Sequence, residues 1–382
     1  MSSLLDDRSQ ISAIDRSNMI GLVERFPEMC LDALSIGRSL VLPKKVLLGS
    51  RNPIRFQRPS QTIVVGMGGS AIGGDLLKDW LENRISMPIQ VKRGYHLPAY
   101  AGSDSLVVAV SYSGNTEETL STYVEAVERG CMTFSISSGG LLEEFSHKLG
   151  LPHLKLPGGY PPRSALPYLF FPIAACLEKL GVFAIDEGEV AEAIEVIKAV
   201  REMVRLSTPT QNNPAKQLAL SIKGTIPMVC GFSPFEAVAS RFKTQLNENS
   251  KTPAKAEFFS ELNHNETAGW SGARELTKCF SVVLIRSEDE PPEVKARIEV
   301  TRKLVFNQCA QKVLEIHTMG NGRLAKMLSA IYIGDFASVY LGILYGFDPT
   351  PIPVIDELKK ELEKRLNKTA ELKRRVEELA GG

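Results

Sequence analysis

The chain has 382 residues, with 45 Lys plus Arg against 44 Asp plus Glu and a formal net charge of +1. This length favours two domains, since a domain commonly contains about 100–200 residues. A chain this close to neutrality has no overall field that would attract nucleic acid or an anionic membrane, so any selectivity for anions must be local.

Membrane and secretion signals are not expected. A membrane-spanning helix needs about 20 consecutive apolar residues, and the apolar stretches are expected to fall short of this length. The N-terminus reads MSSLLDDRSQISAID, which is polar and acidic and lacks the apolar core of a signal peptide. We therefore expect a cytoplasmic protein. The six cysteines form no C-x-x-C pattern, which favours buried free thiols over a nucleophilic or metal-binding role.

The first half of the chain alternates between strands and helices. Residues 1–50 are predicted to be mostly helical. Strands are then predicted at Thr62–Gly66, Ile89–Lys92, Ser105–Ser111, Met132–Ile136 and His153–Leu156, and helices at Leu76–Asn83, Thr116–Arg129, Arg163–Leu180 and Asp186–Leu206. Apolar runs without alternation are typical of strands buried on both faces of a parallel sheet.

A stretch rich in turn formers, Ser207–Pro214, precedes a second series of the same kind. Strands are predicted at Ile226–Cys230, Phe280–Arg286 and Lys312–Ile316, and helices at Phe235–Asn249, Glu293–Asn307, Ser329–Tyr345 and Ile355–Leu379. The last helix is charged and carries an apolar stripe that could pack on the body or on a partner subunit. We predict an α/β fold with two domains in tandem, residues 1–206 and 207–382, each a mainly parallel sheet flanked by helices, with helical N- and C-terminal extensions.

Glycines follow the first predicted strand and precede a helix, which is a general arrangement for binding an anion. Gly66, Gly68 and Ala71 also fit the G-x-G-x-x-A dinucleotide fingerprint. That fingerprint predicts an acidic residue about 20 residues later, where the sequence has Lys92 and Arg93 instead. An NADP-specific site could tolerate this difference, so dinucleotide binding remains a weaker alternative.

A second junction between strand and helix reads SYSGNTEET from Ser111 to Thr119. Three hydroxyls around a Gly-Asn turn suit a phosphate monoester, because hydroxyls donate to phosphate oxygens and the helix N-terminus favours a dianion. The alternative is an N-cap, but capping would account for one hydroxyl and not for three. The junction contains no Lys of the kind found in a P-loop, which argues against a nucleoside triphosphate.

These two segments together resemble the SIS (sugar isomerase) domain. With two such halves in tandem, and with motifs running from Gly66 to Lys359, the whole chain resembles the bifunctional phosphoglucose/phosphomannose isomerase family of archaea and some bacteria. We predict that the phosphate is held by Ser111, Ser113 and Thr116 and that the sugar is lined by Gly68, Gly69 and Ser70.

Two further motifs carry the resemblance. Residues 161–167 (PPRSALP) resemble the family's P-R-x-A-L-P, which implies that Arg163 lies beside C1 and C2 of the sugar, where a guanidinium would stabilise an enediolate oxygen. Residues 246–251 (LNENSK) resemble N-E-N-x-K, which implies that Glu248 is the base between C1 and C2. The alternatives are a structural Arg at a helix start and a solvated Glu at a helix end, both electrostatically poor positions.

The remaining motifs lie nearer the C-terminus. The resemblance of Glu261–Glu266 implies that His264, 16 residues after Glu248, opens the sugar ring. Residues 348–359 resemble the family's C-terminal motif, which implies a lysine near the ring at Lys359; a proline-rich linker before a charged helix is the alternative. The threonine linked to mannose phosphate turnover in dual-specificity relatives falls near Ile352 here, with Thr350 close by, so the sequence leaves this activity open.

The resemblance implies an aldose–ketose isomerase that interconverts glucose 6-phosphate and fructose 6-phosphate, and also mannose 6-phosphate, without a metal or another cofactor. It also implies a homodimer in which the neighbouring subunit supplies the ring-opening His. Two alternatives remain, a regulator that senses sugar phosphates and an NADP-dependent oxidoreductase. A regulator would usually carry a helix-turn-helix, for which the acidic first 50 residues are a poor surface. No nucleic-acid or membrane partner is expected.

Overall fold

The structure is a computed structural model that describes residues 4–49 and 51–381. The chain forms two compact units, each assembled from two separate stretches. The first-sheet unit contains residues 28–185 and the chain from Ile352 onward, and the second-sheet unit contains the chain up to Pro27 together with Asp186–Pro351. Each unit has its own parallel sheet.

The strands in chain order are β1 (Lys45–Val46), β2 (Ile54–Arg55), β3 (Gln61–Val65), β4 (Ile89–Lys92), β5 (Ser105–Val110), β6 (Met132–Ser137), β7 (His153–Lys155), β8 (Ile226–Phe232), β9 (Lys255–Phe259), β10 (Phe280–Arg286) and β11 (Lys312–His317). The α-helices are α1 (Arg8–Ile14), α2 (Met19–Glu24), α3 (Phe26–Arg38), α4 (Gly69–Leu81), α5 (Glu117–Glu128), α6 (Gly140–Lys148), α7 (Leu166–Lys179), α8 (Glu187–Val204), α9 (Pro214–Ile222), α10 (Glu236–Asn249), α11 (Glu266–Gly269), α12 (Arg274–Thr277), α13 (Pro292–Thr301), α14 (Asn307–Cys309), α15 (Arg323–Leu344), α16 (Pro353–Leu366) and α17 (Lys368–Gly381). Short 3-10 turns lie at Leu4–Asp6, Pro162–Ser164, Thr210–Asn212 and Glu261–Asn263, and a π-helical turn at Arg302–Phe306 joins α13 to α14.

The first-sheet unit is built on five parallel strands in the order β4-β3-β5-β6-β7. Every residue of β5 and β6 is buried, as expected of central strands covered by helices on both faces. The second-sheet unit has four parallel strands in the order β11-β10-β8-β9. The predicted α/β fold with mainly parallel sheets flanked by helices is therefore confirmed.

The compact units differ from the predicted division at residues 206 and 207. Helix α8, assigned to the first domain from the sequence, packs on α15 of the second-sheet unit. Helix α17, assigned to the second domain, packs on α5 and α6 of the first-sheet unit. A turn-rich stretch marks where a helix ends, but the apolar face of each helix decides which sheet it covers.

Helix α15 corrects the expectation that all apolar stretches are too short to span a membrane. Over 18 of its 22 residues the mean hydropathy is 1.6, which passes that test by length and composition. All of this window is buried inside the structure, so α15 is the central helix of the second-sheet unit. A helix that is apolar on all sides is typical of a protein core as well as of a membrane.

The C-terminal segment also differs from its prediction as one helix. It forms two helices, because the chain turns at Asn367, whose φ of 45° is left-handed. The apolar residues of α17, Leu372, Val376 and Leu379, are at most 2 % exposed. The apolar residues of α16 are all exposed in the chain by itself. Only the second half of the predicted stripe therefore packs on the body.

The second-sheet unit holds a buried ion pair between α10 and α15. The Arg241 Nη2 donates to Asp335 Oδ2 at 2.6 Å and the Arg241 Nε donates to Asp335 Oδ1 at 3.1 Å. Both side chains are almost completely buried. Burial raises the pKa of the Asp335 carboxyl, although the Arg241 guanidinium opposes this change. The pair therefore fixes how the two helices pack, since neither charge can be left alone in the core.

Replacing Asp335 by Asn should lower the free energy of unfolding by about 3–5 kcal/mol, because it leaves the Arg241 guanidinium buried without its carboxylate. The double variant Arg241→Met/Asp335→Leu should recover much of this loss, since it removes both charges. Urea denaturation of the three proteins measures these differences. Equal stability of Asp335→Asn and wild type would show that the pair does not contribute in this way.

Candidate active site

The hydroxyl-rich loop lies between the end of β5 and the start of α5. Ser111 is buried, and its Oγ lies 2.9 Å from Thr116 Oγ1. Ser113 is exposed, and its Oγ accepts a hydrogen bond from the Asn115 backbone N–H at 3.3 Å. Thr116 is the N-cap residue of α5, yet its side chain makes no capping hydrogen bond. The capping alternative therefore does not account for Thr116, and the loop presents hydroxyls beside the N-terminus of a helix.

The first turn of α5 supplies backbone N–H groups and the positive end of the helix dipole. It also carries Glu117 and Glu118. Burial raises the pKa of the Glu117 carboxyl, and the nearby Glu118 and Glu363 raise it further. The two carboxyls oppose a bound anion, whereas the N–H groups and the helix dipole favour one.

A second loop, not singled out by the sequence analysis, supports this first one. Gly114 has a φ of 72°, and a Cβ placed there would lie 1.7 Å from the Gly139 carbonyl oxygen. The Leu142 N–H donates to the Gly114 carbonyl oxygen at 2.9 Å, and the Leu141 N–H donates to Asn115 Oδ1 at 3.0 Å. The start of α6 therefore fixes the shape of the hydroxyl-rich loop. The only sequence signal was the pair of glycines after β6.

His153 on β7 supports the second loop through two serines. Its Nδ1 lies 2.8 Å from Ser135 Oγ and its Nε2 lies 3.4 Å from Ser137 Oγ. Ser137 Oγ in turn donates to the Gly139 carbonyl oxygen at 2.7 Å. Burial lowers the pKa of His153 to about 4, so the imidazole is neutral at pH 7. It can then both donate and accept hydrogen bonds in this serine network.

The glycine loop after β3 lies against both the hydroxyl-rich loop and the Arg163 segment. Ser70 Oγ accepts a hydrogen bond from the Tyr112 N–H at 3.1 Å. Gly68 has a φ of 50°, and a Cβ at Gly69 would lie 3.3 Å from the Cα of Arg163. Arg163 is only 3 % exposed. The structure thus brings together three segments that the sequence places some 40 residues apart or more.

Replacing Gly114 by Ala should raise the KM for a sugar phosphate strongly, because the new methyl group would displace the loop from Gly139. The matched control is Gly130→Ala at the other end of α5. Gly130 also has a positive φ, of 70°, but a Cβ there meets no atom within 4 Å. Both variants accept the same backbone strain, of about 1 kcal/mol, and only Gly114→Ala introduces the clash. Steady-state kinetics with equal KM for the two variants would contradict the predicted phosphate loop.

Glu248 lies in the last turn of α10, in the second-sheet unit, and is half-buried. The neighbouring amides fix this turn. Asn247 Nδ2 donates to the Thr252 carbonyl oxygen at 2.9 Å, and Asn249 Nδ2 donates to Ser338 Oγ on α15 at 2.9 Å. A Cβ at Gly342 would lie 2.6 Å from the Asn249 carbonyl oxygen, so the two helix backbones meet here.

His264 is exposed and follows the short 3-10 turn after β9. Its N–H donates to the Glu261 carbonyl oxygen at 2.9 Å, and the adjacent Asn263 Nδ2 donates to Thr301 Oγ1 at 2.6 Å. Strand β9, which leads to this turn, was not predicted, since its sequence KAEFF is short and two of its five residues are charged. An exposed imidazole leaves both ring nitrogens accessible to a substrate or a second subunit.

The predicted site residues are divided between the two units. The first-sheet unit holds the loops predicted to bind phosphate and sugar, Arg163, and Lys359 on the exposed helix α16. The second-sheet unit holds Glu248 and His264. Among residues 4–49 and 51–381, the His, Cys, Asp and Glu side chains form no group of three that could hold a metal ion.

The cysteines follow the sequence expectation only in part. Four of the six are buried, and burial raises the pKa of Cys131 to about 11. Cys279, directly before β10, is exposed, and Cys309, the last residue of α14, is half-buried. The expectation of buried thiols therefore holds for four cysteines and not for these two.

Comparison with known proteins finds relatives whose sequence similarity extends over most of the chain. The chain is 37% identical over 345 residues to the bifunctional phosphoglucose/phosphomannose isomerase of Caldicellulosiruptor bescii, covering 90% of this chain and 98% of that protein. It is 36% identical over 303 residues to the protein of the same name from Aquifex aeolicus, covering 79% and 90%. Residues 211–362 match the family described as bacterial phospho-glucose isomerase C-terminal SIS domain.

A solved structure shares the fold. The glucose-6-phosphate isomerase like protein from Thermus thermophilus superposes with a TM-score of 0.57 at 17% sequence identity, covering 91% of this chain and 98% of that one. At this identity the likeness describes the arrangement of sheets and helices in the chain and not its chemistry.

Proposed function

The chain belongs to the bifunctional phosphoglucose/phosphomannose isomerase family, and from this premise we propose that it interconverts glucose 6-phosphate and fructose 6-phosphate, with mannose 6-phosphate as a further substrate. The observation that carries the proposal is the loop from Ser111 to Thr116, in which the N-cap residue Thr116 has a hydroxyl that does not cap the helix behind it. A phosphate monoester matches this loop in charge and in hydrogen-bonding capacity.

Substrate binding would begin at that loop. Ser111, Ser113 and Thr116 would donate to the phosphate oxygens, and the N-terminus of α5 would favour the dianion. Gly68, Gly69 and Ser70 would line the sugar. Because Ser70 already accepts from the backbone of the hydroxyl-rich loop, the sugar and phosphate subsites would keep a fixed spacing.

The chemistry would then proceed in two acid–base stages. His264 would protonate the ring oxygen O5 while the O1 hydroxyl loses its proton, which opens the ring to the aldehyde. Glu248 would next remove the C2 proton to form the enediolate and would return a proton to C1, while the O2 hydroxyl proton passes to O1, which gives the ketose. The Arg163 guanidinium would stabilise the enediolate oxygen, and the Lys359 ammonium would lie near the ring. Atoms balance without an external redox partner, since the aldehyde is reduced as the C2 alcohol is oxidised.

Glu248→Gln should lower kcat by about 10²–10⁴-fold, since general acid–base groups contribute that much, and solvent tritium should no longer enter C2. His264→Ala should slow turnover of cyclic glucose 6-phosphate but spare proton exchange on a substrate supplied in its open-chain form. Glu257→Gln, on the neighbouring strand β9, is a matched control that should leave exchange intact. If Glu248→Gln exchanges tritium as fast as wild type, the base is another group.

The site would be completed in a homodimer, with His264 supplied by the partner subunit. The exposure of His264 supports this arrangement, and so does the exposed apolar face of α16, where Leu358 is 57% and Leu362 is 40% exposed. An apolar helix face that its own chain leaves uncovered is typical of an interface. In a closed two-fold dimer, each site would then contain Glu248 of one subunit and His264 of the other.

A complementation experiment tests this division. Glu248→Gln and His264→Ala should each be almost inactive, but mixed subunits should form heterodimers with one intact site. Random mixing should restore roughly one quarter of wild-type activity, because half of the dimers would be mixed and each would have one working site. Light scattering would report the subunit number. Mixtures that remain inactive while exchanging subunits, or an active monomer, would contradict the shared site.

The two alternatives make different predictions in the same assays. A sugar-phosphate-sensing regulator would bind fructose 6-phosphate without turning it over. An NADP-dependent oxidoreductase would quench the fluorescence of NADPH on binding. A coupled assay on fructose 6-phosphate and mannose 6-phosphate separates these classes and measures the contribution of mannose 6-phosphate.

A further inference from the structure

Lys251 occupies a backbone position that normally belongs to glycine. Helix α10 ends at Asn249, Ser250 is its C-cap, and Lys251 is the following residue with a φ of 56°. Glycine is favoured at this position because an L side chain is strained there by about 1 kcal/mol. A long charged side chain is the least expected choice unless its head group makes contacts that outweigh the strain.

The Lys251 ammonium makes such contacts. Its Nζ donates to the Glu248 carbonyl oxygen at 2.7 Å, to the Pro349 carbonyl oxygen at 2.8 Å and to the Asp348 carbonyl oxygen at 3.2 Å. An ammonium has three donors, so three carbonyl oxygens match its full capacity. The first of these oxygens belongs to the last turn of α10, where helix carbonyls lack partners within the helix and a cation is favoured by the dipole.

These contacts join two segments that are almost 100 residues apart in sequence. One is the turn that carries Glu248, and the other is the segment after α15. Asp348 Oδ1 accepts from the Thr350 N–H at 3.0 Å, so this second segment has a defined turn of its own. The Lys251 side chain thus connects the backbone under Glu248 to the start of the chain that leads into α16.

We propose that Lys251 is a positioning residue for Glu248. Its ammonium links the Glu248 carbonyl oxygen to the carbonyl oxygens of Asp348 and Pro349, and this link fixes the position of the turn that carries Glu248 for proton transfer. This inference rests on the proposed role of Glu248 as the base. In this role Lys251 would act through the Glu248 turn rather than on the substrate. A displacement of about 1 Å at a reacting group can cost about 10²-fold in rate, so loss of this link should lower turnover more than binding.

Lys251→Gly gives the sharpest test, because it separates backbone fit from the ammonium. Glycine relieves the strain at a positive φ but also removes the three hydrogen bonds of the ammonium, so the two effects oppose each other and the unfolding temperature should change little. The KM for fructose 6-phosphate should stay within about 2-fold, while kcat should fall by about 10–100-fold. Tritium exchange at C2 should fall in step with kcat. If Lys251 were merely structural, its loss would lower the unfolding temperature. The apparent kcat would then fall only in proportion to the folded fraction, and KM would not change.

Asn83→Gly is the matched control. Asn83 follows α4 at the same position relative to its helix and has a φ of 65°. This variant should gain the same relief of strain with no loss of kcat. Lys251→Met, which keeps the aliphatic stem without the ammonium, should resemble Lys251→Gly in kcat, and Lys251→Arg should restore part of the activity.

The outcomes separate this inference from the proposed function. If Glu248→Gln loses tritium exchange and Lys251→Gly and Lys251→Met keep full kcat, the role of Lys251 is wrong and the base assignment stands. If Glu248→Gln keeps exchange, the base assignment is wrong and the Lys251 inference falls with it. A loss of kcat in both Lys251 variants at unchanged KM and unfolding temperature supports the link.

Discussion

The hydroxyl-rich loop keeps its shape because the backbone at Gly114 and the backbone at Gly139 come so close that only a hydrogen atom fits between them. Two hydrogen bonds from the start of α6 to the hydroxyl-rich loop stabilise this close contact. The network of His153 with Ser135 and Ser137 supports the Gly139 side of it. The proposed phosphate subsite would therefore be a product of two strand ends rather than of one loop. Its hydroxyls would need little reorganisation on binding, because the backbone that carries them is already fixed.

The second-sheet unit uses the same device at a different place. Helices α10 and α15 meet where Gly342 admits the Asn249 carbonyl oxygen, and the Arg241–Asp335 pair fixes the packing two turns earlier. Glu248 lies in the last turn of α10, next to this contact. In both units, then, glycine permits two backbones to touch, and polar side chains determine the register in which they do so. A functional side chain placed next to such a contact has little freedom to drift.

Much of this architecture follows from the sequence, and the exceptions have physical reasons. The ends of buried strands such as β5 and β10 were predicted to within one residue. A short apolar run without alternation is typical of a strand buried on both faces. Edge strand β9 was missed because its charges hide the pattern, and α6 because it is short. The phosphate and base residues stay predictions that rest on the resemblance of the loop motifs. Apart from the glycines after β6, nothing local indicated the support from Gly139 or the bonds of Lys251. Those contacts join segments far apart in sequence, which a pattern of neighbours does not record.

Each unit is discontinuous along the chain, and this affects how the protein is made. The second-sheet unit needs residues near the N-terminus as well as those up to Pro351, while the first-sheet unit needs the helix α17, whose Leu372, Val376 and Leu379 close its core over α5. Synthesis proceeds at about 5–20 residues per second and domains fold as their residues emerge. Here the sheet that is made first is completed only after the second sheet has been made, because α17 follows β11 in the chain. Until α17 emerges, the apolar face of α5 that it covers stays exposed on the nascent chain, so a helix far along the sequence protects the first sheet from aggregation.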